Sequence, residues 1–199
     1  MNRHVGLVIG VVVLVAAWFF VSPLFIDRSV DESFDLVLDN GQLDMQGIMA
    51  MPPDKQLAMM PEIMDAAANS PDQLATDAMP TDGPRAIAHG EFIDADAIHK
   101  GSGQATLYEL TDGKNLVRFE NFRTTNGPAL VVYLAKHSSP TEARHVSDGG
   151  YIKLGKLKGN VGNQNYVVPP GTNIGEYNSV VIWCELFGVL FSPAALTRT

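Results

Sequence analysis

The chain of 199 residues contains a single cysteine, Cys184, and this scarcity excludes several kinds of protein. One cysteine cannot form an intramolecular disulfide, so the folded part of the chain must be stable through packing alone. Structural zinc sites need several cysteine or histidine ligands at close spacing, and the sequence has no such cluster. A blue-copper site needs a histidine and a methionine shortly after the cysteine, and neither residue type follows Cys184.

Positive charge is also scarce, because 14 Lys and Arg stand against 22 Asp and Glu and the net charge is −8. The charge is unevenly distributed along the chain. Residues 27–85 hold 12 acidic and 3 basic side chains, whereas residues 86–199 hold 10 of each. Proteins that bind nucleic acids normally carry a basic patch, so this balance excludes nucleic acid as the expected partner.

Charge is absent from the first long apolar stretch, Val5 to Ile26. As a helix this stretch would be roughly 33 Å long, close to the hydrocarbon thickness of a bilayer. Arg3 precedes it and mainly acidic residues follow it, so the N-terminus is expected in the cytoplasm and the remainder outside. A cleaved signal peptide is the alternative, but the sequence Trp-Phe-Phe-Val-Ser-Pro after Ala17 is a poor cleavage site.

These features predict a single-pass cell-membrane protein with a signal-anchor and a periplasmic or extracellular C-terminal part. Residues 1–4 are then a cytoplasmic tip, residues 5–26 the transmembrane anchor, residues 27–85 a connector and residues 86–199 the globular domain. The membrane is the first expected partner, through Val5 to Ile26.

The connector is acidic and rich in methionine, with seven of the eight methionines between Met45 and Met79. Thioethers bind Cu(I), but no histidine or cysteine accompanies them, so an adaptable apolar packing surface is the other interpretation. The segment from Pro52 to Ala68 predicts one helix or two short ones, because Pro61 interrupts the pattern. A flexible linker is predicted from Asn69 to Arg85.

From Ala86 onward, short apolar runs alternate with turn residues, and no long amphipathic helix separates them. This pattern predicts an all-β domain, an antiparallel β-sandwich of about eight short strands. The predicted strands are Ala88 to Phe92, Gln104 to Leu110, Asn115 to Asn121, Ala129 to Ala135, Tyr151 to Leu154, Asn165 to Val168, Ser179 to Cys184 and Gly188 to Phe191.

The segment that ends at Cys184 is the most informative of these strands. Alternation places Val180, Ile182 and Cys184 on one face, and Val181 and Trp183 on the other. Because both faces are apolar, the strand is expected in the centre of a sheet.

Motifs in a fixed order along residues 86–199 resemble the DM-thirteen family. The matching motifs are Gly90 to Phe92, Ser102 to Tyr108, Leu116 to Phe122, Gly127 to Leu134, Leu154 to Gly159, Gly162 to Tyr166, Ser179 to Cys184 and Phe187 to Leu196. The resemblance implies a small extracytoplasmic β-sandwich. It also implies electron-transfer or hydroxylation chemistry at the cysteine that Cys184 matches.

Cys184 is therefore the candidate catalytic residue, as a redox thiol. A reactive thiolate needs an electropositive, partly exposed setting, which the adjacent Trp183 and Glu185 do not supply. The alternative is a small buried side chain that only packs.

Two functions stay open on these grounds. The first is a membrane-anchored extracytoplasmic domain with a redox or electron-transfer role centred on Cys184, whose partner is a redox or cell-envelope protein. The second is a non-catalytic cell-surface module that binds protein or glycan and uses Cys184 structurally. The sequence identifies no cofactor and assigns no metal ligand.

Two further groups of polar residues each allow a functional and a simpler interpretation. The first group is Asp94, Asp96 and His99, which form either a weak cation site or an ordinary solvated loop. The second group is Lys153, Lys156 and Lys158, which either contact an anionic partner or line a solvated strand edge.

Overall fold

The computed structural model of the protein describes residues 36–37, 40–81 and 83–199. The predicted anchor, Val5 to Ile26, lies outside these residues. Among the residues that are described, no helix is both long enough and apolar enough to cross a membrane. The anchor therefore stays a prediction from the sequence.

The connector forms short helices before the first strands begin. Asp44 caps the first helix, because its side chain accepts a hydrogen bond of 3.0 Å from the N–H of Gly47. The helices in the described part of the chain are α1 (Met45–Ala50), α2 (Pro53–Ala58), α3 (Met60–Ala68) and α4 (Ala143–Ser147), with a 3₁₀ turn at Ile174–Glu176.

The stretch predicted as one helix or two is divided into α2 and α3 at Met59. Met59 has φ −92° and ψ 7°, outside the regular helical values. Pro53 and Pro61 both lie in the first turn of a helix. Backbone N–H groups there have no acceptor within the helix, so the N–H that proline lacks is not needed. A continuous helix would have placed Pro61 in its interior, where proline removes a hydrogen bond and clashes with the preceding turn.

In the described residues ten strands form two sheets, and this confirms the predicted all-β sandwich. One sheet has the order β1-β7-β4-β3-β2-β10 and the other β6-β5-β8-β9. The strands are β1 (Leu74–Thr76), β2 (Arg85–Glu91), β3 (Gly101–Glu109), β4 (Asn115–Thr124), β5 (Leu130–Ala135), β6 (Tyr151–Lys156), β7 (Val161–Val167), β8 (Ser179–Cys184), β9 (Val189–Ala195) and β10 (Thr197–Arg198).

The eight predicted strands correspond to β2 through β9, with boundaries that differ by a few residues. Every hydrogen-bonded pair among them is antiparallel, and β8 lies between β5 and β9 as a central strand. Strands β1 and β10 were not predicted, because segments of three and two residues carry no readable alternation.

The main core fills the space between the two sheets. Three aromatic rings lie at its centre: the ring centroid of Phe92 is 4.8 Å from that of Phe119 and 4.9 Å from that of Phe122. A second, smaller cluster covers the outer face of the four-stranded sheet, where Val146 of α4 packs on the strands. The four-stranded sheet is therefore apolar on both faces.

The described part of the connector packs on the sandwich, and the two belong to one compact unit. The predicted flexible linker from Asn69 to Arg85 instead contains β1, which pairs in parallel with β7. Asn160 reinforces this contact, because its side-chain oxygen accepts a hydrogen bond of 2.6 Å from the N–H of Gln73. Long-range hydrogen bonds of this kind order a segment whose composition alone favours flexibility.

Candidate functional site

Cys184 is the last residue of β8, and the faces of this strand are as predicted. Val180, Ile182 and Cys184 belong to the core between the sheets. Val181 and Trp183 belong to the cluster on the outer face. The side-chain alternation of an extended strand is sufficient to produce this division.

The sulfur of Cys184 is completely buried and is surrounded by backbone hydrogen-bonding groups. Its Sγ–H donates to the carbonyl oxygen of Pro128 at 2.8 Å. The backbone N–H groups of Leu186 and Phe187 lie near the sulfur and act to lower the pKa of the thiol. A tight turn aims these two groups inward, since the N–H of Gly188 bonds the carbonyl of Cys184 at 2.9 Å.

Burial raises the pKa of the Cys184 thiol, and the nearby Glu185 charge acts in the same direction. The two N–H groups that face the sulfur lower the pKa, but burial dominates. Cys184 is therefore a thiol rather than a thiolate at neutral pH. No histidine is among its hydrogen-bond partners in the described part of the chain.

An open cavity of about 870 Å³ lies between the connector helices and the sandwich, next to the Cys184 site. Pro128, whose carbonyl accepts the hydrogen bond of the cysteine sulfur, and Leu186 contribute to its wall. The sulfur thus lies one layer of residues behind the cavity. The apolar lining comprises Leu43, Met45, Met49, Leu130, Leu157 and Leu186.

The methionines of the connector contribute to packing. Met45 and Met49 line the cavity, and Met64 packs against the main core. Flexible thioether side chains suit such irregular surfaces. This arrangement agrees with the packing interpretation of the methionine-rich connector.

The acidic loop does not gather its side chains into one site. Asp94 accepts hydrogen bonds from Lys100 Nζ and the N–H of Gly101, each at 3.0 Å. Asp96 contacts Nδ1 of His99 at 2.6 Å. Among the described residues, no group of three His, Cys, Asp or Glu side chains is arranged to hold a metal ion.

Two of the three clustered lysines form ion pairs, one with the domain itself and one with the connector. Lys153 Nζ lies 2.6 Å from Oε2 of Glu185, and Lys158 contacts Asp77 of the connector. Lys156 lines the cavity. The cluster therefore connects strands and connector and is not a single basic patch.

Sequence reasoning missed the contribution of the connector to the surroundings of Cys184. Gln42, Met45 and Ala67 all line the cavity, although the composition of the connector indicates partial disorder. The helical spacing of Leu57, Met60, Ile63 and Met64 is the signal in the sequence that predicts an apolar face there. The surface that this face covers could not be identified without the fold.

A family model described as Electron transfer DM13 matches residues 91–196, slightly more than half of the chain. This is the family that the motifs of residues 86–199 resemble, and the matched segment includes Cys184. No curated protein and no solved structure matches the chain.

Proposed function

Because the chain belongs to the Electron transfer DM13 family, we propose that it is a membrane-anchored, extracytoplasmic electron-transfer protein whose redox centre is Cys184. The anchor is Val5 to Ile26, and the partner is a redox protein of the cell envelope. The family supports electron transfer in general, and the geometry around the sulfur supports the choice of residue.

The observation that carries the proposal is the fixed position of the sulfur of Cys184. Its S–H donates to the carbonyl of Pro128 at 2.8 Å, and complete burial leaves the sulfur little freedom to move. Oxidation removes one electron and the S–H proton, so that the products are a neutral thiyl radical, a proton released to solvent and the partner protein reduced by one electron. Complete burial keeps external thiols away, which favours electron transfer through the surrounding protein over disulfide exchange.

The test is a redox measurement on the full-length protein in detergent. Voltammetry of the wild type should show a transition that is absent from both Cys184→Ala and Cys184→Ser. Ser192→Ala is a matched control, because Ser192 is also buried and its hydroxyl donates to the carbonyl of Ile93 at 2.7 Å. Circular dichroism establishes that each variant is folded. The proposal is overturned if the folded wild type has no transition, or if the Cys184 variants retain it.

A second candidate function is favoured by the burial of the sulfur and the raised pKa of the thiol. In this case the domain is an interaction module for a protein or glycan, and Cys184 only packs. Cys184→Ala then costs about 1–2 kcal/mol of stability, as for other small core truncations, and leaves function intact. Complementation of a deletion strain by Cys184→Ala and Cys184→Ser, at matched protein abundance, separates the two functions.

The membrane location is tested separately. We expect the full-length protein to stay in the membrane fraction after extraction with alkaline carbonate, and its C-terminus to be accessible to protease from outside the cell membrane. Deletion of residues 1–26 should release the protein into the soluble fraction. Extraction of the full-length protein by carbonate contradicts the anchor.

A further inference from the structure

The outer face of the four-stranded sheet carries a row of stacked aromatic side chains. The ring centroid of Tyr151 lies 4.2 Å from that of Tyr133, with an angle of 14° between the planes. The centroid of Tyr133 lies 6.2 Å from that of Trp183, with an angle of 29°. Tyr151 is 44% exposed, whereas Tyr133 and Trp183 are buried. The row therefore extends from the surface to the residue that precedes Cys184.

Antiparallel pairing explains why these side chains meet. Tyr133 on β5 is the register partner of Lys153 on β6 and of Val181 on β8. Tyr151 and Trp183 each lie two residues from one of these partners, so they project from the same face. Stacked aromatic rings at these separations attract one another beyond the burial of their surface.

The phenol of Tyr133 has a carboxylate as its hydrogen-bond partner. Its hydroxyl donates to Oε1 of Glu185 at 2.8 Å, and Oε2 of Glu185 accepts from Lys153 Nζ at 2.6 Å. Burial, and then the hydrogen bond to Glu185 and its charge, raises the pKa of the Tyr133 phenol. The phenol is thus neutral at ordinary pH, with a proton acceptor within direct reach.

We propose that Tyr133 and Glu185 form a second redox site, which exchanges one electron and one proton with an oxidant bound at the exposed Tyr151 face. This inference rests on the proposed electron-transfer function. Tyr133 passes one electron through the stacked Tyr151 ring to a one-electron oxidant. The phenolic O–H bond breaks, and the proton forms an O–H bond at Oε1 of Glu185. The products are a neutral tyrosyl radical, a protonated Glu185 and the oxidant reduced by one electron.

The chain contains an internal control in Tyr166. This tyrosine is also buried, but its hydroxyl donates to the amide oxygen of Gln164 at 2.6 Å. An amide oxygen is a far weaker base than a carboxylate, so oxidation of Tyr166 has no comparable proton acceptor. A comparison of Tyr133 with Tyr166 therefore tests whether the radical depends on the carboxylate partner or on burial alone.

The experiment uses the full-length protein in detergent and a photogenerated ruthenium(III) tris-bipyridine complex as the oxidant. Electron paramagnetic resonance measures the yield of the long-lived tyrosyl radical after a laser flash. We expect Tyr133→Phe to abolish this radical and Glu185→Gln to lower its yield several-fold. Tyr166→Phe should leave the yield unchanged.

Lys153→Met should favour formation of the radical, whereas Glu185→Gln should disfavour it. The hydrogen bond from Lys153 is the largest influence that lowers the pKa of Glu185. Without this lysine, Glu185 is a stronger base and the radical should form faster than in the wild type. Near-ultraviolet circular dichroism identifies any variant whose aromatic packing is lost.

The radical experiment also separates this inference from the proposed function. In Cys184→Ala the radical should persist while the voltammetric transition assigned to Cys184 disappears. If the wild type lacks the radical, or Tyr133→Phe retains it, the tyrosine site is overturned and the role of Cys184 stands on its own test. A loss of radical in Tyr166→Phe equal to that in Tyr133→Phe also overturns the inference.

Discussion

Replacing Asn160 with alanine should loosen the attachment of the connector to the sandwich. The amide of Asn160 is buried and bonds three groups. Its oxygen accepts from the N–H of Gln73 at 2.6 Å, and its nitrogen donates to Asp72 Oδ1 at 2.7 Å and to the carbonyl of Thr124 at 3.3 Å. No other side chain of the described residues bonds both the connector and the end of β4 in this way.

The size of the effect follows from the two hydrogen bonds that join Asn160 to the connector, because the bond to Thr124 lies within the sandwich and is kept when the connector opens. The bond to the N–H of Gln73 contributes about 1 kcal/mol, and the bond to Asp72 contributes somewhat less because that carboxylate is half-exposed. The expected loss is about 1–2 kcal/mol in the free energy of opening of the connector. A change of this size corresponds to a roughly tenfold increase in the opening equilibrium.

Native-state hydrogen exchange measures this opening residue by residue. The amide of Asp77, which bonds the carbonyl of Asn163 at 2.9 Å, should exchange about 10-fold faster in Asn160→Ala. The central strand β8 should be much less affected. Asn173→Ala is the control, since Asn173 bonds only the exposed Glu176. Unchanged exchange at Asp77, or equal acceleration throughout the domain, would refute the reasoning.

Three further predictions concern stability. Gly103→Ala should cost about 2 kcal/mol in urea unfolding, because Gly103 has φ +102° and a Cβ there would lie 2.6 Å from the carbonyl oxygen of Asn121. Ile63→Ala should cost about 2–4 kcal/mol in thermal unfolding, since Ile63 is fully buried, whereas exposed Leu57→Ala should cost little. The hydrogen bond from Lys158 lowers the pKa of Asp77, so the stabilisation by Asp77 is present above its ordinary pKa of 3.8 and is lost as the pH falls further. Acid unfolding of Asp77→Asn should lack this contribution, and an unchanged acid transition would contradict it.

The sandwich could be predicted from the sequence because its turns and strands are determined mainly by residues close together in the chain. The turn Asp112-Gly113 and the alternation in β3 and β4 indicate a hairpin without knowledge of any distant residue. The two faces of β8 follow in the same way from strand periodicity alone. These features depend on neighbours within a few residues, which the sequence displays directly.

The docking of the connector could not be predicted, because it depends on contacts between residues far apart in sequence. Asn160 and Asp72 are 88 residues apart, and only the fold brings them together. Strand β1 spans three residues and exposes two of them, so it has neither the length nor the apolar pattern of a recognisable strand. An acidic composition poor in aromatic residues favours disorder, whereas contacts with the sandwich order the described part of the connector.

The same distinction between local and distant contacts separates the two candidate redox sites, which are Cys184 at the end of β8 and Tyr133 on β5 with its partner Glu185. Cys184 attracts notice in the sequence because it is unique, yet its burial and its bond to Pro128 place it where external reagents do not reach. Glu185 is an ordinary acidic residue in the sequence, and its role depends on Tyr133, which is 52 residues away. Glu185 directly follows β8 in a turn, so the end of this strand places a buried sulfur in the core and a partly exposed carboxylate beside it in sequence. The proposed electron carrier needs both a protected centre and a route to its surface, and these two consecutive residues are the ones proposed for them.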